Sequence, residues 1–201
     1  MRMKIVFACL VLLFTYIAPL PVSADDKADA SAFIDNVGKQ ALGIISDKSK
    51  SKEQKNGELQ QLFIANVDID WIGKYVSGRY WRTASDAQKQ QYMTNYKTFL
   101  VSHYTSNFAE YTNANFQVTR VMPADSGGDL VTMHIKRPQA EDIVVDYTIK
   151  KDSSGAFKVY DIIVEGVSMI TTQRSDFSSY IGQNGFDALI TQLAARSKSG
   201  S

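Results

Sequence analysis

The sequence predicts an α+β fold: a helical N-terminal half, a curved antiparallel sheet of about four strands, and closing helices wrapped around it. Three observations carry this. Apolar residues recur at three-and-four spacing through about residue 112, the period drops to 2 after Asn113, and helical spacing returns beyond Gly166. Helices, then a run of strands, then helices, all with short links, describe α+β rather than an alternating α/β chain.

The first 24 residues are set apart from the fold. Arg2 and Lys4 precede an uncharged run from Ile5 to Ile17, and Val22-Ser23-Ala24 has the small-x-small form of a signal-peptidase site. The run is shorter than the ~20 apolar residues a membrane span needs, so residues 1–24 read as a cleaved secretory signal. Cys9 lies inside it, so the mature chain is expected to lack cysteine and with it any disulfide or thiolate metal site. Loss of Arg2 and Lys4 takes 22 basic residues to 20 against 21 acidic ones, a formal charge of minus one. That balance gives no broad electrostatic attraction to nucleic acid or to an anionic membrane surface. The remaining residues suit one domain, with its helical part over about 25–112, its sheet over about 113–166 and C-terminal helices over 167–196. Residues 197–201 read as a polar tail.

Each element follows from local pattern. Phe33, Ile34, Val37, Ala41, Ile44 and Ile45 make one face of a helix over Lys27–Ile45. Ser51 with Gln54 forms a capping box that opens a second helix carrying Leu59, Leu62 and Phe63 inward. A third, short helix begins at Asp68, holds Trp71, Ile72, Tyr75 and Val76, and stops near Gly78. Ser85 and Gln88 form another capping box before the longest stripe, Tyr92, Tyr96, Phe99, Leu100, Tyr104 and Phe108, which reads first as ordinary core. Strands follow around Phe116–Val121, Val131–Ile135, Ile143–Lys150 and Phe157–Val164, and Asp152-Ser153-Ser154-Gly155 joins the last two as a hairpin. Beyond Gly166 the strand turns directly into a helix with Ser168 as its cap and Val167, Ile170, Arg174 and Phe177 at helical spacing. A last helix runs from about Phe186 to Arg196 with Phe186, Leu189, Ile190 and Leu193 inward.

The residues around that corner carry a resemblance. Val159-Tyr160-Asp161-Ile162, Glu165-Gly166-Val167-Ser168, Arg174 and Phe177 resemble the MlaC family of periplasmic phospholipid-binding proteins, also called toluene-tolerance proteins. Agreement continues through Gly185-Phe186-Asp187-Ala188-Leu189, Gly78-Arg79-Tyr80-Trp81, Ser85, Gln88, Tyr92, Phe99 and Tyr104. The resemblance implies a sheet half similar to the nuclear transport factor 2 fold, joined to a helical half as a cone with an apolar interior. It implies a soluble periplasmic carrier of a Gram-negative bacterium, not an enzyme and without cofactor. Such a carrier ferries phospholipid between an outer-membrane lipoprotein complex and an inner-membrane ABC transporter complex with an MCE-type subunit, and so maintains outer-membrane lipid asymmetry. The residues expected to line the acyl pocket are Tyr104, Phe108, Ile143, Val145, Tyr147, Tyr160, Ile162, Val164, Val167 and Ile170, with Ile143 and Val167 near its mouth.

Catalytic patterns are thin. Gly166-Val167-Ser168 sits where a nucleophile elbow would, but Ile170 replaces the closing glycine and the sheet reads antiparallel. His103 and His134 are the chain's histidines; each reads as a surface or rim residue. Ser49-Lys50-Ser51-Lys52 has the serine-x-x-lysine form without its partner motifs, and Asp68-Ile69-Asp70 lacks the remaining calcium-loop oxygens and glycine and reads as a helix start. No phosphate loop or histidine pair at metal spacing occurs. Asp161 interrupts an apolar strand. As a pocket carboxylate it would make the chain a small-molecule enzyme, or a binder of other hydrophobic solutes, with a nuclear transport factor 2-like pocket. Strict alternation instead sets it with Val159 and Ile163, away from Tyr160, Ile162 and Val164, paired to Arg174 or a lysine.

Overall fold

The computed structural model describes residues 24–105, 114–137 and 141–199. Residues 1–23 of the expected signal segment, and Phe108, lie outside them. Among the described residues the chain forms seven helices and a curved, open, five-stranded antiparallel sheet, an α+β fold.

The helical half contains α1 (Ala24–Ser46), α2 (Lys52–Asn66), α3 (Ile69–Ser77), α4 (Tyr80–Thr83) and α5 (Asp86–Thr105). Both capping boxes form. The Ser51 amide donates to Gln54 Oε1 at 2.8 Å while Ser51 Oγ accepts from the Gln54 amide at 3.3 Å, and Ser85 and Gln88 do the same at 3.0 and 3.2 Å. Asp68 caps α3, accepting from the Trp71 amide at 2.9 Å. The single turn α4 carries no capping hydrogen bond from a side chain and was not read from the sequence.

The sheet is a meander in strand order: β1 (Asn115–Pro123), β2 (Asp129–Lys136), β3 (Ile143–Lys151), β4 (Phe157–Val164) and β5 (Val167–Ser168). Two irregularities shape it, one between Val118 and Arg120 on β1 and one on β4, where Ile149 and Thr148 face Val159 and Asp161 and leave Tyr160 as the extra residue. Such bulges bend a strand and increase its twist.

At the corner after β4 the chain does not pass straight into helix. Glu165 and Gly166 both have positive φ, 48° and 81°, as the primed two-residue hairpin turns require. Val167 and Ser168 therefore fold back against Val164 and Ile163 as β5. The Glu165 carboxylate accepts from the Val144 amide at 2.8 Å, which holds this non-glycine residue in the left-handed region. Then α6 (Met169–Asn184) starts with Ser168 as its cap, Ser168 Oγ accepting from the Thr171 amide at 3.1 Å. The last helix, α7 (Phe186–Ser199), extends beyond Arg196.

Two apolar clusters form. The first joins α3, α5, α6 and α7 around Tyr92 and Tyr96, fully buried and stacked 5.5 Å apart. Their hydroxyls are satisfied, Tyr92 donating to the Gly73 carbonyl at 2.9 Å and Tyr96 to Gln173 Oε1 at 2.6 Å. A side chain at Gly73 would meet Met93 and Tyr96 at 2.9 Å, so this close crossing requires glycine. The second cluster sets Ala30 and Ile34 of α1 against Val131, Met133, Ile149 and Val159 of the sheet. Between α1, α2 and the sheet, beside this second cluster, packing gives way to a cavity.

Candidate ligand-binding site

The cavity has a volume of about 380 Å³, within the ~300–1,000 Å³ of small-ligand pockets. Helix α1 supplies one wall with Ile34, Val37, Gly38, Ala41, Leu42 and Ile45, and α2 the next with Leu59, Leu62, Phe63 and Asn66, followed by Val67. The sheet closes the other side with Phe116, Met133, Ile135, Val145, Tyr147, Val159, Ile162 and Val164, and Met169 at the start of α6 completes it. Most of these positions follow from periodicity, every third or fourth residue of a helix and every second residue of a strand sharing a face; on β4 the bulge at Tyr160 breaks the period and sets Val159 with Ile162 and Val164.

Polar side chains on the lining are few. Asn66 turns its amide nitrogen to the Leu62 carbonyl at 2.7 Å, and the Tyr147 hydroxyl donates to Met133 Sδ at 3.9 Å. His103, exposed near the end of α5 and stacked 5.5 Å from Phe99, stands at the rim. Such a surface rewards burial of hydrocarbon and offers little that would orient a reacting polar group.

The predicted pocket residues divide. Val145, Tyr147, Ile162 and Val164 come together on the wall. Ile143 starts β3 opposite Ile135 and lies beyond the lining. Val167 is 52% exposed on the edge strand β5, because the hairpin carries it back along Val164 instead of into α6. Tyr160 turns outward at the bulge, its ring 5.1 Å from that of Trp71; burial, then the Asp68 carboxylate beside it, push its phenol up to about 12. Ile170 packs against the helical cluster and lines a separate void of about 20 Å³. Phe108 lies outside the described residues, and Tyr104 is described in its backbone alone.

Asp161 is not on the cavity wall. Its carboxylate accepts from Ser168 Oγ at 2.6 Å and from the Ile170 amide at 3.3 Å, at the N-terminus of α6 where negative charge is favoured. Arg174, expected beside it, instead donates to the Tyr75 carbonyl at 2.7 Å. Burial raises the Asp161 pKa, and the hydrogen bonds from Ser168, Ile170, Ile162 and Met169 oppose that in part. With Gln173, Asp161 lines the small void, which has room for about one water.

Sequence reasoning read the faces of α1 and α2 as core and overlooked Gly38, Leu42, Phe116, Met133, Ile135, Val159 and Met169 as wall. Gly38 was the available signal: a glycine on an apolar helix face marks close approach. A side chain there would meet the Phe116 ring at 2.6 Å.

An antiparallel sheet roofed by helices over an apolar chamber defines a binding protein for a hydrophobic ligand. The family model for the MlaC protein matches residues 35–195, and the chain belongs to the MlaC family. It is similar to the intermembrane phospholipid transport system binding protein MlaC of Haemophilus influenzae, 22% identical over 157 residues that span 75% of this chain and 73% of that one. It is likewise similar to the toluene tolerance protein ttg2D of Pseudomonas putida, 26% identical over 152 residues, 72% of this chain and 70% of the relative. A phospholipid-binding protein from Ralstonia solanacearum, solved in complex with a phospholipid, has the same fold with a TM-score of 0.72 at 22% identity. That match covers 85% of this chain and 98% of the other.

Proposed function

We propose that this protein is a periplasmic phospholipid carrier, which buries acyl chain in the cavity between α1, α2 and the sheet and leaves the polar head at the His103 rim. The observation that carries the reading is the chamber itself, about 380 Å³ walled almost entirely by aliphatic and aromatic side chains. Each methylene removed from water is worth ~0.8 kcal/mol, so a long acyl chain costs on the order of 10 kcal/mol to bring bare into solution. A carrier that supplies an apolar wall removes that barrier, with no catalytic step. The chain's similarity to a phospholipid transport system binding protein and to a toluene tolerance protein supports this reading. The carrier hands lipid between an outer-membrane lipoprotein complex and an inner-membrane ABC transporter complex with an MCE-type subunit, and this traffic maintains outer-membrane lipid asymmetry. Cleavage after Ala24 delivers it to the periplasm. Among the described residues no helix is long and apolar enough to cross a membrane.

The test is native mass spectrometry of the protein purified from periplasm without detergent, with extraction and identification of what it holds. A stoichiometric phospholipid is expected. A protein that arrives empty and takes up no lipid from vesicles refutes the reading.

A further inference from the structure

On α3, α4 and the start of α5 the surface has a different chemistry. Both tryptophans of the chain are here. The Trp71 ring, 37% exposed, stacks 5.0 Å from Tyr75 and meets Tyr160 edge-on. Cations lie over these rings: Lys150 Nζ is 5.7 Å from the centre of Trp71 and 5.4 Å from that of Tyr160, and the Arg174 guanidinium is 4.6 Å from Tyr75. Lys74 and Lys89 lie 6.0 and 5.8 Å from Trp81, and Arg79 lies 5.0 Å from Tyr80. All the cation–aromatic contacts among the described residues fall here except that of Lys151 with Phe157.

The charges are also unbalanced. Across residues 68–89, with Lys150, Arg174 and Asp187, whose carboxylate accepts from Gln88 at 2.7 Å, six cations stand against four carboxylates. Asp68 is committed to the α3 cap and Asp86 to Lys89 at 3.5 Å. Lys74, Arg79, Arg82, Lys150 and Arg174 form no ion pair among the described residues, and Arg79, Lys150 and Arg174 donate instead to the Tyr80 hydroxyl and to the Ser126 and Tyr75 carbonyls. A chain that is near neutral as a whole thus carries net positive charge over aromatic rings on this face.

We infer that this α3–α4 face docks the protein on an anionic phospholipid membrane surface, the phosphates meeting Lys74, Arg79 and Arg82 and the Trp71 and Trp81 rings resting at headgroup level. Tryptophan and tyrosine beside lysine and arginine are the side chains that settle at a membrane interface. An acidic protein partner is the competing occupant, and the rings weigh against it. Apolar anchors at protein interfaces fill dry pockets, whereas here Lys150 and Arg174 lie over the Trp71, Tyr160 and Tyr75 rings and keep the surface charged. The inference borrows from the carrier reading only the choice of lipid as the source of negative charge.

The test uses purified protein with phosphatidylethanolamine vesicles made with or without phosphatidylglycerol, read by co-sedimentation and by tryptophan emission, since both fluorophores sit on the face. Binding that needs phosphatidylglycerol, weakens with salt and shifts the emission is expected. At ~1 kcal/mol per basic residue near an anionic surface, K74E/R79E/R82E should bind on the order of a hundredfold more weakly. Its circular dichroism and its co-purified lipid should match wild type. If that variant does not fold, Lys74→Glu alone should still weaken binding several-fold. Equal binding to both vesicles, or a charge-reversed variant that binds as wild type does, overturns the inference. So does a protein that ignores vesicles but binds polyglutamate in a salt-sensitive way, which would assign the face to an acidic polypeptide. An empty cavity in wild type would refute the carrier reading without touching the vesicle result.

Discussion

Val145→Asp places a carboxylate in the wall of the chamber. Val145 is buried at mid-sheet, between Met133 on β2 and Val164 on β4, both also on the wall. With hydrocarbon against it, the new carboxyl has neither water nor a cation, and burial of this kind raises a carboxyl pKa by up to ~3–5 units. At ~1.36 kcal/mol per unit, keeping it ionised costs the loaded state about 4–7 kcal/mol, a large part of the roughly 10 kcal/mol that burial of one chain supplies. Retention should fall by three or more decades, enough to empty the protein during purification. The pH dependence has a fixed sign. The pKa is raised in the loaded state, so loading takes up a proton; retention should recover as pH falls toward the ordinary carboxylate range and disappear as pH rises above the raised value. Native mass spectrometry and vesicle uptake at two pH values read this, with a melting curve to show that the fold survives. Should Val145→Asp not fold, Val145→Thr keeps the shape and adds one hydroxyl, at ~1–3 kcal/mol. Val167→Asp, on the exposed edge strand, should keep its lipid. A stoichiometric phospholipid on Val145→Asp at neutral pH would refute the assignment of this chamber.

Further expectations concern the frame. Gly38→Leu drives a side chain into the Phe116 ring and should cost about 1–3 kcal/mol in urea unfolding while lowering lipid occupancy; full occupancy would show that the cargo lies elsewhere. Asp161→Asn removes a carboxyl whose pKa is raised chiefly by burial. The folded state therefore binds more protons than the unfolded one above the ordinary value of 3.8, and the contribution of Asp161 to stability declines as pH rises through that interval. The stability of wild type relative to the variant should thus improve on acidification, and parallel urea midpoints across pH would contradict this. Ser51→Ala breaks the α2 capping box and should cost ~1 kcal/mol, seen as a melting point lower by about 2–4 °C.

The order of helices and strands was legible because each depends on local chemistry. Ser51 with Gln54, Ser85 with Gln88, and Asp68 each state where a helix starts. What escaped depends on pairing between distant residues. Strict alternation put Tyr160, Ile162 and Val164 on one face of β4, yet Tyr160 is the bulged residue and faces Trp71, which joins Val159 to Ile162 and Val164 on the wall. At the corner, two local readings competed: Val167, Ile170, Arg174 and Phe177 have helical spacing, while Ser168 as a cap requires Val167 to precede the helix. The cap decided, and Val167 belongs to β5. Core and cavity wall, finally, look alike in a sequence. Ile34 and Val37 share the apolar face of α1, but whether a partner lies opposite is settled by the sheet's curvature.

That ambiguity bears on how the protein is held together. Helices α3, α5, α6 and α7 enclose a filled core around Tyr92 and Tyr96, whereas α1 and α2 close over a chamber. Left dry and empty, a void of about 380 Å³ would cost on the order of 9 kcal/mol at ~24 cal/mol per Å³, comparable to the whole stability of an ordinary domain. The void is therefore filled, by water or by cargo, and cargo returns dispersion contacts to the wall that water does not. A ligand that binds the folded state alone stabilises it by mass action. That gain falls mainly on α1, α2 and the sheet, because the first core meets its own side chains with or without lipid. Loading should then raise the protection of α1 and α2 amides in hydrogen exchange while α5 and α7 change little.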